Sequence, residues 1–318
     1  MARSSKIRRE NIVRYVFLLF IVLGLLTCTV YAETGDAKAS GERMTLIVGF
    51  SSKVFYDVAI NDAKAATKVW MDVLIKKQNL FEKSDTIVYP DLSSIEKAVR
   101  AKTVDVMTLL PQEYLEIRKR VSLEPVFVAD HGKDFYHQFL LIVRADRGIN
   151  QLTDLKNKKL ALETSQNGTI PIVWLETLIM KEGYTTLKAF FSNVKDAQKT
   201  SQALLPVFFR QTDAAIVSRS SFDVMVELNP QLGKELKVIA TSPKLLAGIV
   251  CIRKDLYKTN KDAVNIALES LQSDPQGKQI LTLFRINRLV PFNPSHLETI
   301  EALLKEHRDS SPRYVNRK

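Results

Sequence analysis

Residues 93–110 read SSIEKAVRAKTVDVMTLL. The opening Ser93-Ser94-Ile95-Glu96 has the form of a capping box, in which a hydroxyl and a glutamate three residues on satisfy backbone N–H groups at a helix start. The closing Val104–Leu110 is an apolar run of strand length. Upstream, Thr86–Tyr89 reads as a second short strand. Before it, Asn61 can cap a helix carrying Ala63, Ala66, Trp70, Val73 and Leu74 at i, i+3, i+4 spacing. Met44–Phe50 is a buried strand ending in the turn Gly49-Phe50-Ser51-Ser52. In chain order this is β-α-β-α-β, which predicts a parallel sheet with helices on its faces.

Downstream the alternation repeats. Strands are expected at Phe139–Val143, Lys159–Leu162, Ala189–Phe191, Ala214–Val217 and Lys237–Ala240. Helices are expected from Pro171 to Met180, stopped by Gly183, then at Asp196–Leu205 and Ser220–Leu228. Leu246–Ile252 reads as one more strand, and Lys261–Gln272, Pro275–Phe284 and His296–His307 as closing helices. Two α/β units, the second inserted before a helical end, imply two lobes with a cleft between them. Ligands of open α/β sheets bind outside the carboxyl ends of the strands. The residues just after strands are therefore the candidates: Ser51 and Ser52 in one unit, Ser218 and Arg219 in the other. Ser51 and Ser52 serve equally well as a turn that caps a helix. Arg219 suits a bidentate clamp on an oxyanion or a solvated helix start.

Composition bounds the function. The chain has 318 residues, 46% hydrophobic and 25% charged. That is ordinary globular composition, which excludes collagen-like, low-complexity and disordered classes. A single long apolar run excludes a polytopic membrane protein. The formal net charge is +11, but Arg3, Lys6, Arg8, Arg9 and Arg14 crowd the first segment. The remainder is mildly basic without a stripe, which suits small anions, and nucleic acid is not expected as a partner. Residues 1–32 have the form of a secretory signal peptide: a basic start, an apolar run from Tyr15 to Val30, and cleavage after Ala32. The alternative is an uncleaved membrane anchor. Leu25-Leu26-Thr27-Cys28 is similar to a lipoprotein box, from which Thr27 departs. Cys251 is then the only cysteine of the mature chain, so no internal disulfide forms. It reads as a buried strand thiol. No nucleophile elbow, zinc-protease motif or phosphate loop is present, and no enzyme activity, cofactor or metal is expected.

Several segments resemble the extracytoplasmic substrate-binding proteins of phosphate, phosphite and phosphonate ABC transporters. They are Leu46–Phe50, Asp62–Trp70, Val104–Val106, Leu141–Asp146, Ile149–Lys156, Thr212–Val217 and Leu236–Pro243. The resemblance implies an α/β type 2 periplasmic-binding-protein fold, with two lobes joined by two crossover strands near Phe139–Arg144 and Leu246–Arg253. The organisation expected is a signal peptide (1–32), a flexible mature N-terminus (33–43), lobe one (44–138 and 246–308), lobe two (139–245) and a basic tail (309–318). The implied mechanism is hinge closure over a small anion, followed by docking of a monomer on a membrane permease. The alternatives are a sensory binding protein that signals occupancy to a receptor and an enzyme that reuses the fold.

The resemblance also places ligand contacts. Phosphonate binders carry a Ser-Thr-Ser-Gly run at the first helix of lobe two, where hydroxyls and amides hold the phosphoryl oxygens. Here Asn167-Gly168-Thr169 falls on the three hydroxyl positions, with Thr164 and Ser165 upstream. Thr108 falls where relatives carry hydroxyl or aromatic contacts, and Tyr136 and His137 precede the crossover where relatives place a tyrosine.

Overall fold

The computed structural model describes residues 45–55, 60–78, 81–130, 136–163, 169–283 and 286–311. The expected signal peptide and mature N-terminus, the phosphonate-loop residues Thr164, Ser165, Asn167 and Gly168, and most of the basic tail lie outside them.

The first sheet contains β1 (Thr45–Ser51), β2 (Lys83–Tyr89), β3 (Val106–Leu109), β4 (Leu123–Asp130), β12 (Ile249–Arg253) and β13 (Arg288–Pro291), in the order β13-β4-β12-β3-β1-β2. Its first three strands are parallel, as the β-α alternation requires. β12 enters antiparallel between β3 and β4, so the sheet is mixed rather than purely parallel. The second sheet contains β6 (Phe139–Arg144), β7 (Lys159–Glu163), β8 (Asn193–Ala197), β9 (Ala214–Ser218) and β10 (Leu236–Thr241), in the order β10-β6-β9-β7-β8. Every residue of β6 but Arg144 is buried, and all of β9 is. Continuous apolar runs of this kind belong to strands covered on both faces.

Between the sheets runs a two-stranded ribbon, β5 (Tyr136–His137) against β11 (Leu245–Leu246). Leu245 lies opposite His137 and Leu246 opposite Tyr136. The strands expected to cross between the units do not themselves cross. β6 belongs wholly to the second sheet and β12 to the first, and the expected strand Leu246–Ile252 is broken at Ala247-Gly248.

Local chemistry explains the other departures from expectation. The helix Leu92–Arg100 is capped by Asp91, whose carboxylate accepts from Ser94 N at 2.8 Å, so the Ser93 capping box does not form. Ala189–Phe191 is not a strand. The Thr186 hydroxyl caps a short helix, Leu187–Phe190, and the strand moves on to Asn193–Ala197. The next helix is consequently Thr200–Phe208 rather than Asp196–Leu205. β4 carries Pro125, which has no N–H for the ladder, and the pairing with β12 shifts register opposite it, between Val250 and Cys251. Cys251 is fully buried in β12, and burial pushes its thiol upward.

The first sheet is fastened by a buried ion pair. Arg253 Nη1 donates to Asp105 Oδ1 at 2.9 Å and to the Lys102 carbonyl at 3.2 Å, while Asp105 Oδ2 accepts from Ile47 N at 2.8 Å. β1, the approach to β3 and the end of β12 thus meet on one carboxylate. Burial raises the Asp105 carboxyl, against the Ile47 amide and the Arg253 charge. Arg253 Nε also reaches Asp255 at 2.6 Å. Burial pulls Asp255 upward, but hydrogen bonds from Arg253 and Lys102 outweigh it and bring it down to about 2. A carboxyl depressed by folding adds stability above its unfolded value and loses it as pH falls through the folded one. Asp255→Asn is expected to cost up to about 1 kcal/mol at pH 6, given screening at this half-exposed site. The gap to the wild type should close between about pH 4 and pH 2. Denaturant titrations across that range check it, and a gap independent of pH would contradict the assignment.

The last helix, Glu298–Ser310, follows β13 but packs on the helix Ile170–Lys181 of the second unit. Leu297, Ile300 and Leu303 are buried in one apolar cluster with Ile117, Ile170, Leu175 and Leu245. Polar contacts fix it on both sides: ion pairs of Glu301 with Arg118 at 2.7 Å and of Glu306 with Lys181 at 2.7 Å, and a hydrogen bond between Glu176 and His307 at 3.2 Å. Among the described residues, no helix is long and apolar enough to cross a membrane.

Candidate functional site

The carboxyl ends of β1 and β3 carry the first unit's share of the site. Ser51 closes β1 and is buried, and its hydroxyl donates to Glu113 Oε1 at 2.9 Å. The same oxygen of Ser51 accepts from Lys53 N at 3.3 Å, so Ser51 caps the turn that follows it. The Ser52 hydroxyl donates to the Pro90 carbonyl at 3.3 Å. Thr108 is half-buried on β3, opposite Phe50 on one side and Val250 on the other.

Glu113 organises this edge. It is only 3% exposed, in the first turn of the helix Pro111–Ile117 directly after β3. Its Oε2 accepts from Leu110 N at 3.0 Å, Oε1 accepts from Ser51, and Lys53 Nζ lies 3.7 Å from Oε1. One buried carboxylate therefore joins the turns after β1 and β3. The sequence signal was a proline opening a helix with glutamate two residues on, where the side chain reaches back to the cap.

The second unit repeats the device. Glu163 ends β7 and is 4% exposed; its carboxylate accepts from Thr200 Oγ1 at 2.7 Å and from Ser218 N at 3.4 Å. Ser218, at the end of β9, accepts from Ser221 N at 3.2 Å and caps the helix Arg219–Leu228, and its hydroxyl donates to Ser221 Oγ at 2.8 Å. Arg219 is exposed and fastened to the crossing segment: its N donates to the Gln138 carbonyl at 2.8 Å and its Nε to Gln138 Oε1 at 3.1 Å. Gln138 Nε2 in turn donates to the Ser242 carbonyl at 3.1 Å.

The two edges meet at the ribbon. A small cavity there is lined by Leu110 and Gln112 from the first unit, Ile170 from the second, His137 and Leu245 from the ribbon, and Ile300 from the last helix. Tyr136 and His137 are half-buried in the ribbon, and Thr169 is exposed at the head of the helix Ile170–Lys181. The structure thus brings His137 and the residue after Thr169 to one junction. Ser51, Ser52 and Thr108 lie at the first edge, and Ser218 and Arg219 at the second. Among the described residues, no group of three or more His, Cys, Asp and Glu side chains is arranged to hold a metal ion.

Two α/β units, each built on its own sheet and linked through a two-stranded ribbon, have the architecture of the type 2 periplasmic-binding-protein fold. Solved structures share it. A protein of Xanthomonas citri solved with ATP superposes with a TM-score of 0.66 at 14% identity, over 84% of this chain and 98% of the other. The binding component of a phosphonate ABC transporter from Pseudomonas aeruginosa gives 0.61 at 17% identity, over 85% of this chain and 88% of the other. PhnD1 of Prochlorococcus marinus in complex with methylphosphonate gives 0.57 at 14% identity, over 83% and 98%.

A family model described as ABC transporter, phosphonate, periplasmic substrate-binding protein matches residues 60–297, and the chain belongs to that family. The phosphonates-binding periplasmic protein of Escherichia coli (strain K12) is 27% identical over 211 residues, 64% of this chain and 61% of that protein. The match therefore covers about three fifths of the curated relative's length. Members of the family are extracytoplasmic binding components of transporters.

Proposed function

We propose that this chain captures a small phosphorus oxyanion of the phosphate, phosphite or phosphonate class between its two units. Hinge closure about the ribbon then presents the loaded form to the permease of an ABC importer. The family match from residue 60 to residue 297, which takes in the second sheet, the ribbon and every strand of the first sheet except β1, carries this reading. The name of the Escherichia coli relative and the methylphosphonate bound to PhnD1 support the ligand class. The protein is a monomer, exported by a signal peptide cleaved after Ala32, and it binds its ligand without turnover.

In this reading Ser52, Thr108, Tyr136, His137 and Arg219 face the ligand, together with the loop of Thr164, Ser165, Asn167, Gly168 and Thr169. Ser51 and Ser218 frame the two edges, because their hydroxyl protons are directed at Glu113 and Ser221. Thermal unfolding of the full chain with phosphate, phosphite, methylphosphonate, 2-aminoethylphosphonate, sulfate and carboxylates tests it. A ligand at 100 times its Kd stabilises by about 2.7 kcal/mol, a readable shift in Tm. A shift confined to phosphorus oxyanions is expected. No shift with any of them, or a shift only with carboxylates, would overturn the ligand class.

A further inference from the structure

The turns that close the parallel strands of the first sheet contain one cation among the described residues, Lys53. It sits two residues beyond the end of β1, in the turn capped by Ser51. Its side chain is 46% exposed, so the ammonium is neither buried nor adrift in solvent. The other end of its tether is Glu113, almost fully buried and holding Leu110 N and the Ser51 hydroxyl as well. At 3.7 Å the pairing occupies one side of the ammonium. An ammonium has three donors, and the remaining ones point away from the carboxylate.

We propose that Lys53 is a ligand-contacting residue that supplies the first unit's positive charge to the bound oxyanion. The inference rests on the anion-capture reading above and adds a residue to that site. The physical case has three parts. Lys53 lies at the carboxyl end of a central strand, the edge where open α/β sheets take ligands. Its side chain is held before ligand arrives, which lowers the ordering cost of binding. Without the ammonium, the Glu113 carboxylate would keep its hydrogen bonds from Leu110 N and Ser51 but lose the cation paired with it, so loss of attraction and gain of repulsion act in one direction. Arg219 supplies the corresponding charge at the second edge, where Gln138 holds it by the Nε hydrogen bond. Closure then brings a cation to the ligand from each side, and neither is drawn from the Asn167–Thr169 loop.

The test uses the full chain and methylphosphonate or inorganic phosphate as probe, with affinities by calorimetry at several salt concentrations. Lys53→Met is expected to weaken binding about tenfold or more, the size of one charge-assisted hydrogen bond. It should also flatten the salt dependence of Kd. Lys53→Arg should restore most of the affinity, since the charge is kept. Lys102→Met, which removes a lysine paired with Asp255 away from this edge, should leave Kd unchanged. Lys53 is exposed, so its variants are expected to fold, and circular dichroism confirms it. If wild type binds these probes and Lys53→Met binds them equally with the same salt slope, the inference is overturned while the anion reading stands. If wild type binds none of them, both fall.

Discussion

Arg253→Met should cost about 3 to 5 kcal/mol of folding stability, because it leaves the Asp105 carboxylate buried without its cation. Asp105 is 7% exposed and Arg253 9%, so water cannot replace the lost partner cheaply. The lost donor also served the Lys102 carbonyl, and the carboxylate it abandons still anchors Ile47 N. Burial already raises the Asp105 carboxyl, and removing the nearby charge should raise it further, adding a destabilisation that grows with pH. Equilibrium denaturation at pH 5 and pH 8 reads both effects. A double variant, Asp105→Leu with Arg253→Met, should recover much of the loss, since a buried pair replaced by apolar groups is often near neutral. A single-variant cost below about 1 kcal/mol would mean that the pair is a surface interaction, contrary to its burial.

Ile300→Ala is expected to cost about 3 kcal/mol, within the range for large-to-small changes in a core. Ile300 is 1% exposed on the last helix and belongs to the cluster that includes Ile117 of the first unit and Ile170 and Leu175 of the second. Its neighbours come from separate elements held by their own sheets, and it already borders a small cavity. They cannot easily collapse into the added space, so the cavity penalty should be felt in full. Ile300→Val removes one methylene and should cost about 1 kcal/mol. Chemical denaturation of both variants checks the ratio. Equal, small costs would show that the helix rests loosely on the two units.

Much of the architecture was legible because its central strands are written in uninterrupted apolar residues. Phe139–Val143 and Ala214–Val217 are strands almost as expected. What escaped was set by competition between neighbours. Asp91 caps the helix that Ser93 was expected to open, because its carboxylate reaches Ser94 N first. β4 was hidden by Glu124 and Pro125, which break the apolar run although the strand is central. β8 was hidden by its polar, largely exposed pattern at a sheet edge. For the site, the rule that ligand residues follow strands led to Ser51 and Ser218. It could not show where their hydroxyl protons go. Ser51 meets Glu113 across 62 positions, and Glu163 meets Thr200 across 37. No local pattern encodes those pairings, and Lys53 acquires its interest only once Glu113 is seen to be buried beneath it.

The order of the strands also dictates an order of assembly. The second sheet is drawn from one stretch of chain, residues 139–241, and is sealed where Ser242 exchanges hydrogen bonds of 2.8 Å with Phe139 in both directions. The first sheet cannot close until β12 slides between β3 and β4, more than a hundred residues after both have been made. On a chain that grows from its amino end, the later-made unit is thus the earlier to become complete, as contiguous contacts form ahead of distant ones. Until β12 arrives, β3 and β4 each present an unpaired ladder, the state in which strands recruit wrong neighbours. An exported protein gains from this sequence of events if it stays unfolded until the whole chain has crossed, for then the missing strand is at hand when the two edges first meet.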